Sequence, residues 1–357
     1  MIYSIITIFI FSLSFQFRSN FSKFNDKIYP FVLLGLFLFT VFRYEIGCDW
    51  KNYQNMFNTA RDAPISFIVF NRDPLFWIAL RSINILNLPF PAINIFSGFL
   101  FFIGINALAK RQPNPLTFLV LIFPILIINM PMSAIRQGAA IGMICYAIIA
   151  IIDKRPKHFL LWVSLATGFH ISSVVFFILF PFTSGKYNYQ RILISGLLAV
   201  FILYFIKNTM SVQHTASVYI GSGREAYGAI YRIGMLAVTG LFFFFILQKK
   251  WKKYFPEDYG IISLSALGMI LIISLIPVST IIADRYGYFL IPLQIMILAR
   301  IPYLQFNYIR NRLIYSILPY MFLIMAIVVW TENSWHFNLC YQPYKNMIFD
   351  LAKSYIY

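Results

Sequence analysis

The chain has 357 residues, of which 60% are hydrophobic and 19% aromatic, while only 11% are charged. Its mean hydropathy is +0.74. A water-soluble domain of this length does not bury so much apolar surface, and several apolar runs approach the roughly 20 residues needed to cross a bilayer. The runs are also too long for the strands of an outer-membrane barrel. The sequence therefore predicts an all-α, polytopic integral membrane protein.

The charged residues are unbalanced, with 29 Lys and Arg against 12 Asp and Glu and a formal net charge of +17 at pH 7. Such an excess could bind nucleic acid, but the basic residues lie in short loops between apolar runs. Cytoplasmic loops of membrane proteins are enriched in Lys and Arg in this way. We therefore expect a lipid bilayer and no nucleic acid as partner, and part of the excess could serve an anionic substrate.

The apolar runs give the spans in chain order. The first run has no basic segment before it and no small-residue cleavage site, so we interpret it as a retained helix and not as a signal peptide. About ten full spans are predicted from runs of this length. They lie near residues 2–16, 30–44, 90–109, 115–131, 133–152, 191–206, 229–248, 260–282, 286–300 and 312–330.

Two apolar stretches do not fit a simple count of spans. Residues 74–88 are short and are interrupted by Arg81 and two Asn, which predicts a half-inserted or interfacial helix. Residues 158–181 are long enough to span, but Gly168 and His170 divide them into halves of about a dozen residues, each too short to cross a bilayer. We expect 158–181 to form a re-entrant hairpin with His170 at its apex.

The basic loops agree with this count. If neither exception is a full span, all six basic loops fall on one side, which is then the cytoplasm. These loops lie near residues 17–29, 110–114, 153–157, 186–191, 249–253 and 300–312. Both termini are then outside, as are the loops 43–74 and 207–228, the Asp284-Arg285 turn and the tail 331–357. The chain is predicted to be one polytopic domain, 1–357.

Ionisable residues concentrate directly after the second span. Residues 43–53 read Arg-Tyr-Glu-Ile-Gly-Cys-Asp-Trp-Lys-Asn-Tyr, and Asp73 follows in a chain with few acids. Ionisable groups at the edge of an apolar protein are costly, so they commonly mark the place where something polar is handled. The cysteines Cys48, Cys145 and Cys340 have no metal-ligand spacing. Cys48 and Cys340 could both face the outside, and the sequence leaves open whether they form a disulfide.

Two short patterns have simple interpretations. The string GSGREA at 221–226 fits GxGxxA, but no strand precedes it, so it does not predict dinucleotide binding. Gly138 and Gly142 lie on one face of a helix, which predicts close packing against another helix. The chain has no Asp-x-Asp, no Walker motif and no His/Cys cluster. We therefore expect neither a metal ion nor another cofactor.

Several blocks, in a fixed order, carry a resemblance to a known family. They are Arg43, Gly47, Asp49, Trp50 and Tyr53; Asp73-Pro74-Leu75-Phe76; Ile135-Arg136-Gln137-Gly138; Phe169-His170-Ile171-Ser172; Arg285 with Tyr288; and Pro343-Tyr344-Lys345. Together they make the chain resemble the Wzy-type O-antigen and capsule repeat-unit polymerases, in the EpsG-like branch, over most of its length. The family commonly has Glu where Asp73 stands.

The resemblance implies a membrane glycosyltransferase, and the missing metal motifs favour a metal-independent reaction. Such an enzyme moves a growing glycan from undecaprenyl diphosphate onto the non-reducing end of a fresh lipid-linked repeat unit, outside the bacterial cytoplasmic membrane. Its expected partners are the lipid-linked donor and acceptor, a flippase and a chain-length regulator protein. The product would be O-antigen, capsule or exopolysaccharide.

The leaving diphosphate in this reaction needs cations, because its developing charge is stabilised by donors held in a site of low dielectric. Arginine suits this role, since its planar fork meets two phosphate oxygens. The candidates are Arg43, Arg136 and Arg285. Arg43 could equally be a helix-end anchor, and Arg285 could pair with Asp284. Arg136 is the strongest candidate, because it opens an apolar helix on the predicted external side.

The acceptor hydroxyl needs a base or an oriented acceptor. Asp49 and His170 are the best candidates, although His170 could be a structural residue and Asp49 could pair with Arg43. The predicted catalytic set is Asp49, His170, Arg136, Arg43 and Arg285. The predicted substrate-binding residues are Glu45, Trp50, Tyr53, Asp73, Gln137, Ser172, Arg224, Tyr288 and Tyr344. Trp50, Tyr53 and Tyr344 could stack on sugar rings, but aromatic residues are enriched at membrane interfaces in any case.

Two other functions share some of these features. A lipid-linked glycan flippase or transporter would also have basic loops and many spans, but it more often shows internal repeats and charges near the middle of the bilayer. An O-antigen ligase would also use external arginines, but its long external loop comes later in the chain. The early position of the Arg-Gly-Asp block favours the polymerase.

Overall fold

The computed structural model describes residues 2–14, 21–207, 226, 228–306 and 309–348. Every regular element within these ranges is helical, apart from one isolated bridge between Arg43 and Asn346. The helices are α1 (Ile2–Ser14), α2 (Phe21–Val41), α3 (Trp50–Asp62), α4 (Ile65–Phe70), α5 (Pro74–Ile85), α6 (Ala92–Ala109), α7 (Pro115–Met132), α8 (Ile135–Ile152), α9 (Pro156–Phe169), a long 3₁₀ helix (Ile171–Phe182), α10 (Tyr189–Lys207), α11 (Ala229–Tyr254), α12 (Tyr259–Leu271), α13 (Thr280–Arg300), α14 (Ile309–Asn333) and α15 (Trp335–Cys340). Two short 3₁₀ helices, Ile272–Leu275 and Ile301–Tyr303, follow α12 and α13.

The predicted all-α, polytopic membrane fold is confirmed. Among the described residues, five helices are long and apolar enough to cross a membrane, namely α6, α7, α8, α11 and the helix Thr280–Tyr303 that contains α13. The described residues also form shorter apolar helices of 10 to 17 residues, such as α1 and the helix Tyr259–Leu275 that contains α12. The total of about ten spans stays a prediction.

The chain divides into two compact units. The first unit comprises Met1–Met143, Gly168–Ile171 and Tyr320–Tyr357, and the second comprises Ile144–Thr167 and Ser172–Pro319. Helices α8, α9 and α14 and the 3₁₀ helix Ile171–Phe182 contribute residues to both. The early loop, the C-terminal tail and His170 therefore all belong to the first unit, although they are far apart in sequence.

Close packing of α6 against α8 organises the first unit. A Cβ at Gly104 would overlap the backbone of Gly142, and a Cβ at Gly142 would overlap the backbone of Leu100. Only glycine permits such an approach of two helix backbones. The predicted packing role of Gly142 is confirmed, and this contact fixes the position of the whole N-terminal part of α8, where Arg136 lies.

The segment 158–181 folds back on itself, as predicted. In the second unit, the ring centroids of Phe159 and Phe180 lie 6.4 Å apart, although a chain continuing in one direction would separate them by roughly 30 Å or more. A Cβ at Gly185 would lie 2.7 Å from Cε of Lys154, so the two ends of the hairpin are also neighbours. The four residues 168–171, which connect the legs, group with the first unit.

Residues 74–88 contain no full span. Helix α5 has 12 residues, which gives a length of about 18 Å, and the hydrocarbon core of a bilayer is roughly 30 Å thick. It packs against α3 and α4, and all three helices belong to the loop after α2. The interfacial position predicted for this segment stays a prediction.

The predicted turn at Asp284-Arg285 is wrong. Both residues lie inside α13, which begins at Thr280. The turn before α13 comprises residues 276–278, where Pro277 cannot donate a backbone hydrogen bond. The Oγ atom of Ser279 accepts a hydrogen bond from the N–H of Ile282 and caps the new helix. The apolar run alone did not reveal this cap, so the span was predicted to begin too late.

Candidate functional site

Arg136 is the centre of a buried polar cluster in the first unit. It lies in the first turn of α8, and its guanidinium group stands over the rings of Tyr53 and Phe76, with 5.6 and 5.9 Å to their centroids. Its Nη1 atom donates a hydrogen bond to Oδ2 of Asp73 at 2.6 Å. The Nε atom of Arg136 is buried and has no hydrogen-bond partner among the described residues. The cation therefore keeps at least one donor for a further group.

Asp73 connects three elements through one carboxylate. Oδ2 accepts the hydrogen bond from Arg136, and Oδ1 accepts another from the N–H of Ile171 at 2.9 Å. Nδ1 of His170 lies 3.8 Å from the same Oδ1. Burial alone would raise the pKa of Asp73, but His170, Arg136 and the Ile171 N–H together lower it to about 2. The carboxylate is therefore ionised at neutral pH although only 1% of its side chain is exposed.

The apex of the hairpin is fixed against α5. A Cβ at Gly168 would lie 2.6 Å from both Cγ and Cδ1 of Leu75, so a glycine is needed for this contact. The ring of Phe169 packs against Phe96, with 6.1 Å between the centroids. These contacts hold His170, which is 6% exposed, beside Asp73. A neighbouring carboxylate favours the imidazole tautomer with its proton on Nδ1, and Nε2 is then the proton acceptor.

Asp49 and Tyr53 complete the cluster at the start of α3. The N–H of Tyr53 donates to the carbonyl oxygen of Asp49 at 3.0 Å. Asp49 is close enough to interact electrostatically with both Arg136 and Tyr53. The Tyr53 ring is buried, and burial raises the pKa of its hydroxyl. Asp49 thus contributes to the charge balance around Arg136.

Arg43, in contrast, is enclosed by neutral oxygen atoms. Its Nε donates to the carbonyl oxygens of Ile46 and Met132, at 3.1 and 2.8 Å. Its terminal nitrogens donate to the Thr40 carbonyl oxygen at 3.2 Å and to Oδ1 of Asn94 at 3.0 Å. Only 1% of the residue is exposed. This geometry favours a structural role for Arg43.

The loop after α2 is joined to the C-terminal tail. Cys48 and Cys340 form a disulfide, which the sequence left open. Backbone hydrogen bonds continue the connection: Gly47 N–H to Cys340 O at 2.7 Å, Tyr44 N–H to Lys345 O at 3.0 Å, and Met347 N–H to Phe42 O at 2.8 Å. Glu45 pairs with Lys345 at 2.8 Å on the surface. The loop and the tail therefore lie on the same side of the first unit.

Two aromatic residues that were predicted to stack on sugars pack against other aromatic rings of the protein. Trp50 is 8% exposed and lies edge-on to Phe90 at 5.0 Å. Tyr344 stacks on Phe39 with 4.6 Å between the centroids and donates from its hydroxyl to the Phe39 carbonyl oxygen at 2.7 Å. Such contacts favour packing roles for both rings.

The remaining predicted residues are distributed over the chain. Gln137 is buried in the first unit, and the half-buried Ser172 begins the second stretch of the second unit. Arg285 and Tyr288 lie on α13 in the second unit. Arg224, and with it most of the predicted external loop 207–228, is outside the described residues.

Sequence reasoning missed a half-buried ion pair in the second unit. Arg232 on α11 donates two parallel hydrogen bonds to Asp284, at 2.7 and 2.8 Å, and lies over the ring of Tyr288 at 5.1 Å. Asp284 was expected to pair with its neighbour Arg285 if it paired at all. The available signal was Arg232 itself, a cation in an apolar helix, since such residues almost always have a partner.

The side chains of Arg136, Asp73 and His170 determine what chemistry the first-unit cluster can perform. Arg136 can hold an anion, and His170 with Asp73 at its Nδ1 side can accept a proton. No three His, Cys, Asp or Glu side chains come together as metal ligands in the described part of the chain. Independence from metal ions stays a prediction.

The fold and this cluster define a polytopic helical membrane protein with a buried arginine–carboxylate–histidine site. A sequence model of the EpsG family matches residues 26–346, which include every member of the cluster. The chain therefore belongs to the EpsG family, as the ordered motifs predicted. Membership supports a membrane protein of the polysaccharide-polymerase type in general. No curated protein and no solved structure matches the chain.

Proposed function

We propose that the protein is a repeat-unit polymerase of the Wzy type. It joins oligosaccharide units linked to undecaprenyl diphosphate into O-antigen, capsule or exopolysaccharide on the outer side of the cytoplasmic membrane. The observation that carries the proposal is the cluster of Arg136, Asp73 and His170 in a member of the EpsG family. It offers a cation for a diphosphate and a proton acceptor for a hydroxyl within one site.

The reaction divides between these residues. The acceptor hydroxyl oxygen attacks the anomeric carbon of the growing glycan, and the bond from that carbon to the lipid diphosphate breaks. Nε2 of His170 takes the hydroxyl proton. Arg136 stabilises the charge that develops on the departing diphosphate, and it does so more effectively in a buried site than in water. Its position in the first turn of α8 adds the positive end of the helix dipole.

The disulfide supports the external location of this site. Disulfides persist in oxidising compartments and are rare in the cytosol. Cys48 precedes Asp49 and Trp50 at the start of α3, so the disulfide and the cluster belong to the same loop. The basic loops predict the same orientation independently.

The test is Arg136→Ala in cells that carry no other copy of the gene. We expect normal amounts of protein in the membrane, but a single repeat unit on the acceptor in place of a ladder of chain lengths. Arg136→Lys should recover little, because an ammonium group lacks the paired donors of guanidinium. Arg155→Ala is the matched control: Arg155 is exposed just beyond the other end of α8, and its variant should keep the ladder.

The same experiment separates the alternatives. A flippase defect would leave no repeat unit on the outer side, and a ligase defect would leave finished polymer on the lipid carrier. Either result, or a normal ladder in Arg136→Ala, would overturn the proposal.

A further inference from the structure

Asp73 and Asn114 occupy similar positions in the sequence, but their side chains make different hydrogen bonds. Each is followed by Pro-Leu, and each directly precedes a helix, α5 or α7. Oδ1 of Asn114 accepts hydrogen bonds from the N–H groups of Leu116 and Thr117, at 3.0 and 3.2 Å, and so caps its helix. Capping of this kind is the usual role of Asp or Asn at a helix start.

Asp73 does not cap its own helix: its carboxylate accepts no hydrogen bond from the N–H groups in the first turn of α5, a turn that the structure describes in full. Its two oxygen atoms accept from Arg136 and from the backbone N–H of Ile171 instead. The Pro-Leu that follows cannot explain this difference, because Pro-Leu also follows Asn114. The tertiary contacts with α8 and with the hairpin apex therefore determine where the carboxylate points.

We propose that Asp73 is a positioning residue. Its carboxylate binds both Arg136 and the hairpin apex, and the diphosphate group of the substrate displaces it from Arg136. The proposal rests on the proposed function, because it takes the lipid diphosphate as the ligand of Arg136. Arg136 offers Asp73 a single hydrogen bond and keeps a buried Nε atom without a partner among the described residues. The pair Arg232–Asp284 shows the contrast, since both of its carboxylate oxygens are held by the guanidinium fork.

An acid in this position has two opposite effects on the reaction. Its negative charge competes with the diphosphate for Arg136, which weakens binding of the ground state. Its negative charge also strengthens the hydrogen bond from the N–H of Ile171, which holds the apex and keeps His170 in place for the proton transfer. Removal of the charge should therefore tighten anion binding and slow turnover at the same time, a combination that loss of folding does not produce.

The first measurement uses purified protein and inorganic pyrophosphate as the probe. We expect Asp73→Asn to bind pyrophosphate about tenfold more tightly than the wild type, because one charge-assisted hydrogen bond no longer competes for Arg136. Adding Arg136→Ala to Asp73→Asn should remove the gain. Asn114→Ala is the matched control: it should lower the unfolding midpoint and leave pyrophosphate binding unchanged. Equal or weaker binding by Asp73→Asn, or a gain that survives Arg136→Ala, would overturn the proposal.

The second measurement is chain growth in membrane vesicles, corrected for the amount of folded protein. Asp73→Asn should lower kcat at least tenfold without raising KM for the lipid-linked unit, whereas Asp73→Glu, which keeps the charge, should restore most of the rate. If Asp73→Asn grows chains at the wild-type rate, Asp73 does not position the apex. If Arg136→Ala grows a normal ladder, the proposed function fails, but pyrophosphate binding still decides whether Asp73 competes for Arg136.

Discussion

Arg43 and Arg136 lie on either side of the same short turn between α7 and α8, yet their surroundings are opposite. Arg43 donates to the carbonyl oxygen of Met132, the last residue of α7, and to other neutral oxygens. Arg136 lies in the first turn of α8 and pairs with Asp73. The end of a helix carries partial negative charge and its start partial positive charge. The hydrogen bonds of Arg43 are therefore made to neutral groups of the fold, while the charge of Arg136 needs an anion.

This difference separates two kinds of arginine that look alike in sequence. A cation at a helix C-terminus is stabilised by backbone carbonyl groups and contributes to folding. A cation at a helix N-terminus adds its charge to the helix dipole, and such a place attracts carboxylates and phosphates. Near the same turn between α7 and α8, the position relative to a helix end distinguishes the structural arginine from the candidate for catalysis.

The strongest test of this comparison is Arg43→Ala. It would leave several buried oxygen atoms without a donor, at about 1–3 kcal/mol for each of them. We expect most of the protein to be lost from the membrane, and Arg43→Lys to recover little because one ammonium group cannot reach all four acceptors. Quantitative immunoblotting and the unfolding midpoint in detergent measure the effect.

Arg136→Ala, made in parallel, should keep the wild-type amount and midpoint. The comparison would be broken if the two variants lost protein to the same extent, or if Arg43→Ala accumulated normally but failed to extend glycans.

A smaller effect is expected where the hairpin apex meets α5. In Gly168→Ala, the new methyl group would meet Leu75 and push His170 away from Asp73. A misplacement of about 1 Å can cost roughly 100-fold in rate, so chain growth should fall by up to that factor at nearly normal protein levels. The double variant Gly168→Ala with Leu75→Ala removes the clash and should regain activity. A double variant no more active than Gly168→Ala would show that the contact does not position His170.

The sequence predicts more of the fold than of the site. Gly168 and His170 divide an apolar run into two short halves, and this was enough to predict the fold-back at 158–181. Arg136 was recognised because it opens an apolar helix. The oxygen atoms that accept hydrogen bonds from Arg43 could not be predicted, since most of them belong to backbone carbonyls, which every residue possesses. The contacts of Asp73 could not be predicted either, because Asn114, which is also followed by Pro-Leu, caps its own helix. The partner of Asp284 lies 52 residues away on α11.

The smallest effect is expected at the surface pair Glu45–Lys345. Its atoms are 2.8 Å apart, but the two side chains remain 47% and 45% exposed, and exposed ion pairs of this kind contribute only about 0–1 kcal/mol. Lys345→Ala should therefore leave the unfolding midpoint nearly unchanged and should not alter the glycan ladder. The backbone bond from Tyr44 to residue 345, the disulfide and the bonds of Arg43 all remain in this variant and keep the loop joined to the tail. The midpoint should be measured at low and at 1 M salt, where screening removes even the small contribution of the pair. A large loss of stability in Lys345→Ala would mean that the surface charges, and not the buried donors of Arg43, hold the loop in place.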